Sequence, residues 1–174
     1  GLPDVDTVFR ALAEHLGELA PYYPDGESGV RTNWVGWQGA VFADHADFEP
    51  AGSGPTGQPV FGLKRGVDGH DVVFDKIGYA REAVNSYARF SQLKAEGVIP
   101  SATKFQVSLP TPTAVISTFV ALDDRAAIEE SYTRVMMDEL NEILSTIPLA
   151  DLVVQWDIAV EVIAFAGALP LHYD

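Results

Sequence analysis

Helices with one apolar face alternate along this chain with short apolar strands, and this alternation limits the folds open to it. Apolar residues recur at helical spacing over residues 5–19, 79–96 and 124–147, whereas residues 103–110 and 151–156 have the composition of strands. Parallel strands are joined by crossovers that usually contain a helix. The alternation therefore predicts an α/β fold with parallel strands and right-handed crossovers, in which the last strand is covered on both faces.

The segments between these elements show weaker patterns. Residues 22–23 predict a very short strand, residues 34–48 a helix that contains two glycines, and residues 113–121 another helix. Residues 50–69 are rich in glycine and proline and predict an excursion or a short hairpin, and residues 71–78 predict a short strand. Altogether we count three or four strand–helix units.

A closed (βα)8 barrel needs eight such units in roughly 250 residues. The 174 residues of this chain are enough for one domain with a substantial core, but not for eight units. The sequence therefore predicts a partial (βα)8 TIM-type barrel, about its first half, with parallel strands and covering helices. We expect a single domain over residues 1–174, with a Gly/Pro-rich excursion at about residues 45–75.

Capping residues mark the ends of the predicted helices. Asp4 and Asp123 are suited to cap the first helix and the longest helix, and Gly97 is suited to end the helix that starts at Tyr79. The charged residues of the longest helix are expected on its solvated face: Glu129, Glu130, Asp138, Glu139 and Glu142.

The charge balance excludes one large class of partners. The chain has 25 acidic and 11 basic residues, a formal net charge of −14, which repels a phosphate backbone and argues against nucleic acid as a partner. No apolar stretch reaches the ~18 residues that a membrane helix needs, so we expect no membrane partner. The chain has no cysteine, which fits a cytoplasmic protein and leaves no thiolate ligand for a metal.

Ligands of parallel α/β proteins collect at the carboxyl ends of strands, and two polar loops follow predicted strands early in the chain. The first carries Asp25, Glu27 and Arg31; its alternative interpretation is a surface turn with an Asx-type hydrogen bond and a Glu27–Arg31 pair. In the second, Ser108 and Thr111 either bind or orient a ligand, or belong to an ordinary helix start of hydroxyl and proline residues.

A third polar strand end lies in "DLVVQWDIAVEV", residues 151–162, where carboxylates interrupt an apolar run. A buried carboxylate has to be paired, protonated or used, because an isolated charge in the core is costly. Asp157 is therefore a candidate ligand-binding residue. The alternative is that Asp157 caps the next helix and Glu161 forms a salt bridge there, and we expect a structural role for Glu161.

The residues alone do not name a reaction. His45 and Asp47 lack a third metal ligand at suitable spacing and are expected in a solvated loop, so no metal site is predicted. The chain contains no dinucleotide-binding glycine motif, no phosphate-binding loop and no nucleophile elbow.

Three stretches, "DGESGVRTNWVGWQ", "KFQVSLPTPTAV" and "ELNEILSTIPLADLVVQWDIAVE", together resemble the superfamily of cobalamin-independent methionine synthase and uroporphyrinogen decarboxylase. The resemblance is closest to an uncharacterised methionine-synthase-like branch. It covers nearly the whole chain and the first part of the family's (βα)8 barrel. It implies that this chain is the N-terminal part of such a barrel.

The resemblance also implies a set of substrate-binding residues. Glu27 matches a glutamate that holds the amino group of homocysteine, and Arg31 matches the arginine that follows it. Gln155 and Asp157 match a glutamine and an aspartate at the end of a later strand, where the aspartate binds the same amino group. Ser108 lies in a loop that resembles the family's turn before a helix.

The chain also departs from the family. Ile158 and Ala159 follow Asp157 where the synthase has glutamate and proline, so the match to the homocysteine-binding strand end is incomplete. The zinc ligands of the synthase belong to the later half of its barrel. The resemblance therefore assigns no cofactor to this chain and allows zinc only in the complete protein.

We therefore expect a methionine-synthase-like barrel protein that transfers a methyl or other one-carbon group to a small thiol or amino-acid-like substrate. This chain alone is expected to be inactive. The alternatives are a metal-independent lyase or decarboxylase of the same superfamily, and a non-catalytic oligomerising binding module. Because unpaired strand edges associate, we expect a homo-oligomer or a second chain that completes the barrel.

Overall fold

The computed structural model describes residues 2–168 and divides the chain into two compact units. The first unit comprises Gly1–Trp34, Gly78–Leu109 and Glu139–Trp156, and the second comprises Val35–Ile77, Pro110–Asp138 and Asp157–Asp174. Within the described residues, no helix has both the length and the apolar character that crossing a bilayer requires.

The described chain is built from six α-helices, five strands and several short 3₁₀ turns. The helices are α1 (Val5–His15), α2 (Gly39–Ala43), α3 (Tyr79–Ala95), α4 (Pro112–Phe119), α5 (Arg125–Thr146) and α6 (Val160–Phe165). The strands are β1 (Tyr22–Pro24), β2 (Phe48–Ser53), β3 (Pro59–Leu63), β4 (Lys104–Pro110) and β5 (Leu152–Asp157).

A parallel three-stranded sheet with the order β1-β4-β5 is flanked by helices, which confirms the predicted α/β class. Tyr22 lies opposite Lys104 and Tyr23 opposite Phe105 in the pairing of β1 with β4. Strand β4 forms because its apolar residues alternate with polar ones, and Phe105 and Leu109 are almost fully buried. The central strand of the sheet is therefore also its most buried strand.

Aromatic side chains form the core of the first unit. Phe9 of α1 contacts Phe90 of α3 at 5.5 Å and Phe105 of β4 at 6.1 Å between ring centroids, both edge to face. Asp4 caps α1 as predicted and accepts a hydrogen bond from the Thr7 N–H at 2.8 Å. The helix ends at His15, earlier than the apolar spacing predicted, and Leu19 beyond it is 87% exposed.

The start of α3 is capped by a residue that is distant in sequence. Its N-cap residue is Gly78, which has a φ of 93° and no side chain to offer, and the carboxylate of Glu139 accepts hydrogen bonds from the N–H groups of Gly78 and Ala80. Glu139 is 2% exposed, so its prediction as a solvated residue is wrong. Gly97 follows the end of α3 with a φ of 76°, as predicted for a helix terminator.

The second unit contains an antiparallel hairpin of β2 and β3, with a bulge between Pro50 and Gly52, which confirms the predicted hairpin. Aromatic rings pack around Phe42, which contacts five others: Phe48, Phe61, Phe74, Phe119 and Tyr132. The strand predicted over residues 71–78 is absent, and residues 72–77 follow an irregular path between the hairpin and α3.

The helix predicted over residues 34–48 divides into a 3₁₀ turn, Trp34–Gln38, and the short helix α2. A Cβ atom on Gly39 would lie 3.0 Å from a ring carbon of Phe119, so this interior glycine allows the two segments to pack closely. Close packing, and not helical propensity, decides the local structure here.

Strand β5 lies at one end of the sheet order and is less buried than predicted. Leu152 is buried, but Gln155 and Trp156 are exposed and Asp157 is half-buried. An apolar run alone does not distinguish a strand covered on both faces from a terminal strand, which explains the error. Asp157 is consequently not a core residue.

Candidate functional site

The carboxyl ends of β1, β4 and β5 meet at one edge of the parallel sheet, and polar residues gather along this edge. Pro24, the last residue of β1, lies opposite Gln106 of β4. Asp25 follows directly after β1, Ser108 lies two residues beyond Gln106, and Gln155 lies near the end of β5. Ligands of parallel α/β proteins bind at this edge, which makes it the candidate functional site.

Asp25 organises the loop that follows β1. Its Oδ1 accepts a hydrogen bond from the Glu27 N–H at 3.0 Å, and its Oδ2 accepts one from Arg31 Nη2 and one from Ser86 Oγ, each at 2.7 Å. Arg31 Nε also lies 3.6 Å from a carboxylate oxygen of Glu82. The side chains of Asp25 and Arg31 are each only 11% exposed. The Asx-type turn expected in this loop is confirmed. The carboxylate that lies 2.7 Å from Arg31 belongs to Asp25.

The backbone of this loop is strained at Glu27. Its φ is 45°, a left-handed value that residues other than glycine seldom adopt, and the neighbouring Gly26 and Gly29 have φ values of 70° and 68°. A Cβ on Gly26 would also lie 2.9 Å from a methyl carbon of Val8. Strained residues of this kind persist where the surrounding structure enforces them, and they occur preferentially at functional sites. The strained backbone therefore supports Glu27 as a candidate functional residue.

Gln106 joins two of the predicted site residues. Its side-chain N–H₂ group donates to Ser108 Oγ at 3.2 Å and to Gln155 Oε1 at 3.0 Å. Gln106 is 8% exposed, Ser108 is half-buried and Gln155 is exposed, so the trio extends from the sheet interior to the surface. Sequence reasoning missed Gln106. The signal was present, because Gln106 occupies a polar position of β4 two residues before Ser108.

Asp157 is the last residue of β5 and belongs to the second unit. It lies two residues beyond Gln155 in the chain. The N-cap residue of α6 is Ala159, whose side chain offers no capping hydrogen bond. The cap position itself is therefore not occupied by Asp157.

Thr111 and Glu161 meet in the second unit. Thr111 caps α4 by accepting a hydrogen bond from the Ala114 N–H at 3.1 Å, and Pro112 occupies the first turn of this helix. The ordinary helix start predicted as an alternative for this loop is thus present. The Thr111 hydroxyl also donates a hydrogen bond to Oε1 of Glu161. The hydrogen-bond partner of Glu161 at this position is therefore a hydroxyl group.

The family resemblance allows zinc only in the complete protein and assigns none of its ligands to this chain. Within residues 2–168, no three histidine, aspartate or glutamate side chains are close enough to hold a metal ion. His45 uses its ring nitrogens locally: Nε2 lies 3.0 Å from the Val73 carbonyl oxygen, and Nδ1 accepts from the Asp47 N–H at 3.2 Å. We assign no chemical step to a metal in this chain.

A second polar cluster lies at the opposite end of β5. Asp151, directly before the strand, accepts hydrogen bonds from Lys94 Nζ at 2.7 Å and from the Tyr87 hydroxyl at 3.0 Å. The hydrogen bond from Lys94 lowers the pKa of Asp151, although partial burial opposes this shift. Burial and the bond to Asp151 raise the pKa of Tyr87. Because all three groups are paired, this cluster is structural.

The candidate edge thus offers an amide at Gln155 and a hydroxyl at Ser108, both held by Gln106, and Glu27 adds a carboxylate to the loop that follows β1. These groups are able to accept hydrogen bonds from an ammonium group and to bind the polar atoms of a small molecule. Comparison of the chain with models of protein families, with curated proteins and with solved structures gives no match.

Proposed function

We propose that this chain forms part of a methionine-synthase-like (βα)8 barrel and binds a small, amine-bearing substrate at the carboxyl edge of its parallel sheet. The order of the sheet supports the barrel. In a (βα)8 barrel each parallel strand lies beside the barrel strand that precedes it along the chain. The order β1-β4-β5 follows the chain in the same way, and the segments between the strands contain helices.

One observation carries the proposed binding function: Gln106 holds Ser108 and Gln155 together at the carboxyl edge of the sheet. A buried amide that spends both donor hydrogens on two more exposed polar side chains fixes their positions before a ligand arrives. Such preorganisation lowers the entropy that binding costs. In this proposal Gln155 and Ser108 contact the substrate, and Gln106 positions them.

The roles of the charged residues follow from their partners. Glu27 supplies a carboxylate for the substrate ammonium, and its strained backbone fits a position held for function. Asp157 is proposed as a second such carboxylate on the family resemblance alone. Arg31 is paired with Asp25 and nearly buried, so its role is to hold the loop rather than to contact the substrate. The reaction proposed is transfer of a methyl or one-carbon group from a second, donor substrate to the thiol: the S–H proton is lost, a C–S bond forms, and the bond between that carbon and the leaving group of the donor breaks.

Calorimetric titration with L-homocysteine tests this proposal. We expect saturable binding to the wild type, about tenfold or more weaker binding to Glu27→Gln and to Gln155→Ala, and unchanged binding to Glu130→Gln, an exposed control on α5. 4-Mercaptobutanoate, which lacks the amino group, is expected to bind the wild type and Glu27→Gln equally weakly. Equal affinity of the wild type and Glu27→Gln for L-homocysteine would remove Glu27 from the site.

A second candidate function, an oligomerising binding module, is favoured by the exposed apolar side chains near the end of β5. Ile158 is 60% exposed, Val162 61% and Phe165 96%. Exposed apolar clusters of this kind are typical of interaction surfaces. Light scattering distinguishes the two candidates: a dimer that dissociates on Val162→Asp substitution, with no homocysteine binding, supports the module over the enzyme.

A further inference from the structure

The carboxylate of Asp25 connects Glu27 to helix α3. Its Oδ1 accepts a hydrogen bond from the Glu27 N–H at 3.0 Å, and its Oδ2 accepts one from the Ser86 hydroxyl at 2.7 Å. Ser86 lies near the middle of α3, 61 residues beyond Asp25 in the chain. One carboxylate therefore joins the backbone of the proposed substrate-binding residue to a side chain of a distant helix.

The hydrogen bond between Ser86 and Asp25 is shielded from water. Ser86 is 3% exposed and Asp25 is 8% exposed. Hydrogen bonds to a charged group are stronger than those between neutral groups, and a buried carboxylate that loses a donor still has the full cost of its desolvation. Asp25 is therefore held in the orientation in which both of its oxygens keep their donors. This orientation also fixes the position of the Glu27 N–H.

The same face of α3 also contacts the far end of the loop. Glu82 lies four residues before Ser86, so the two side chains project from one face of the helix. A carboxylate oxygen of Glu82 lies 3.6 Å from Nε of Arg31. Nη2 of Arg31 donates in turn to Oδ2 of Asp25 at 2.7 Å. Helix α3 therefore holds the loop at two points, and Asp25 takes part in both.

These contacts account for the left-handed backbone of Glu27. A φ of 45° is unfavourable for a residue with a side chain and persists where the surrounding contacts enforce it. The bond from the Glu27 N–H to Asp25 enforces it only while the aspartate side chain keeps its orientation. Arg31 belongs to a 3₁₀ turn of the loop itself, whereas Ser86 belongs to α3. Ser86 is therefore the donor that fixes Asp25 relative to the regular structure of the first unit.

We infer that Ser86 is a positioning residue of the proposed binding site: by holding Asp25, it maintains the backbone conformation in which Glu27 binds the ammonium group of the substrate. The inference rests on the function proposed above, in which Glu27 supplies that carboxylate, and it adds a residue that does not contact the substrate. Loss of the Ser86 hydroxyl leaves every substrate-binding group in the chain but raises the conformational entropy that binding has to overcome.

The φ of Glu27 in the ligand-free chain tests the first step, and NMR measures it through scalar couplings and carbon chemical shifts. Ser86→Ala is expected to populate a negative φ at Glu27, whereas Ser145→Ala, at an exposed position of α5, leaves φ unchanged. Trp34, with a similar φ of 43°, is an internal control, because a general loss of stability does not alter φ in the molecules that remain folded. A Glu27 φ that keeps its wild-type value in Ser86→Ala overturns the inference.

Calorimetric titration with L-homocysteine tests the second step. Ser86→Ala is expected to weaken binding about fivefold, and to have no further effect in the Glu27→Gln background, where the carboxylate that Ser86 positions is absent. Ser86→Cys keeps a similar size with a weaker donor and is expected to fall between the wild type and Ser86→Ala.

The outcomes separate this inference from the proposed function. Equal affinity of the wild type and Ser86→Ala for L-homocysteine overturns the inference, and so does an equal loss of affinity in both backgrounds, which indicates a general effect on the fold. Absence of binding to the wild type would instead refute the proposed function. The φ of Glu27 in the ligand-free Ser86→Ala variant then still decides whether Ser86 holds the loop.

Discussion

Single residues hold the candidate site in place through backbone geometry as much as through contacts. Gly26 and Glu27 share left-handed φ values directly after β1, and Asp25 accepts the three hydrogen bonds that stabilise this turn. The composition of the loop predicts a turn, and the Asx-type bond at Asp25 was expected. The salt bridge between Asp25 and Arg31 depends on how the loop folds back, which spacing along the chain does not specify.

Gly26→Ala is expected to destabilise the first unit by about 2 kcal/mol or more, because alanine both strains the left-handed backbone and clashes with Val8. Gly97 has a similar φ of 76° with open space where a Cβ would be, so Gly97→Ala isolates the backbone term, about 1 kcal/mol. Urea unfolding measures both variants. If the clash with Val8 contributes, Val8→Ala restores part of the stability that Gly26→Ala loses. Equal losses of stability in Gly26→Ala and Gly97→Ala argue against a contribution from this clash.

Helices and strands were predicted well where the hydrophobic periodicity is strong. They were predicted poorly where contacts with residues distant in the chain decide the local structure. The helices α1, α3, α4 and α5 and the strands β1, β4 and β5 all correspond to patterns in the sequence. The strand predicted over residues 71–78 is irregular, because its apolar residues Val72, Phe74 and Ile77 are buried without pairing into a sheet. Glu139 was misplaced for a related reason: a polar residue on a helix is predicted as solvated unless the N–H groups it caps are known.

Glu139→Gln is expected to lower the free energy of unfolding by about 2 kcal/mol, because a neutral amide binds the N–H groups at the start of α3 less strongly than a carboxylate does. Asp138→Asn, at the exposed neighbouring position, is the matched control and should change stability by less than about 0.5 kcal/mol. Thermal or urea unfolding measures both. Equal stability of the two variants would show that Glu139 does not cap α3.

The cluster at the start of β5 predicts how stability depends on pH. Lys94 lowers the pKa of folded Asp151 below the unfolded value of about 3.9, so the stabilisation is complete above about pH 4 and is lost as the pH falls through the folded pKa. Asp151→Asn should therefore cost about 1 kcal/mol near neutral pH, and its difference from the wild type should shrink in acid. Urea unfolding across this range measures it. If the stability difference between the wild type and Asp151→Asn instead grows as the pH falls, folding does not lower the pKa of Asp151.

At the scale of the whole molecule, the sequence predicts the α/β class because helices and strands alternate, and the parallel sheet confirms it. Which strand ends the sheet was not predictable, because apolar runs do not reveal sheet neighbours, and β5 was therefore placed too deep in the core. The candidate edge was predictable, because ligands of parallel α/β proteins bind at the carboxyl ends of strands. The bridging role of Gln106 did not, since it depends on β4 and β5 being neighbours.

The central claim is that the carboxyl edge of this sheet binds a small amine-bearing molecule. Amide chemical-shift mapping during titration with L-homocysteine tests it most directly, because the shifts report where the ligand lies. We expect saturable shifts concentrated in three segments, residues 25–31, 106–108 and 155–157, and expect Gln106→Ala to weaken all three together. Saturable shifts located elsewhere, or no shifts at any concentration, would contradict the proposed site.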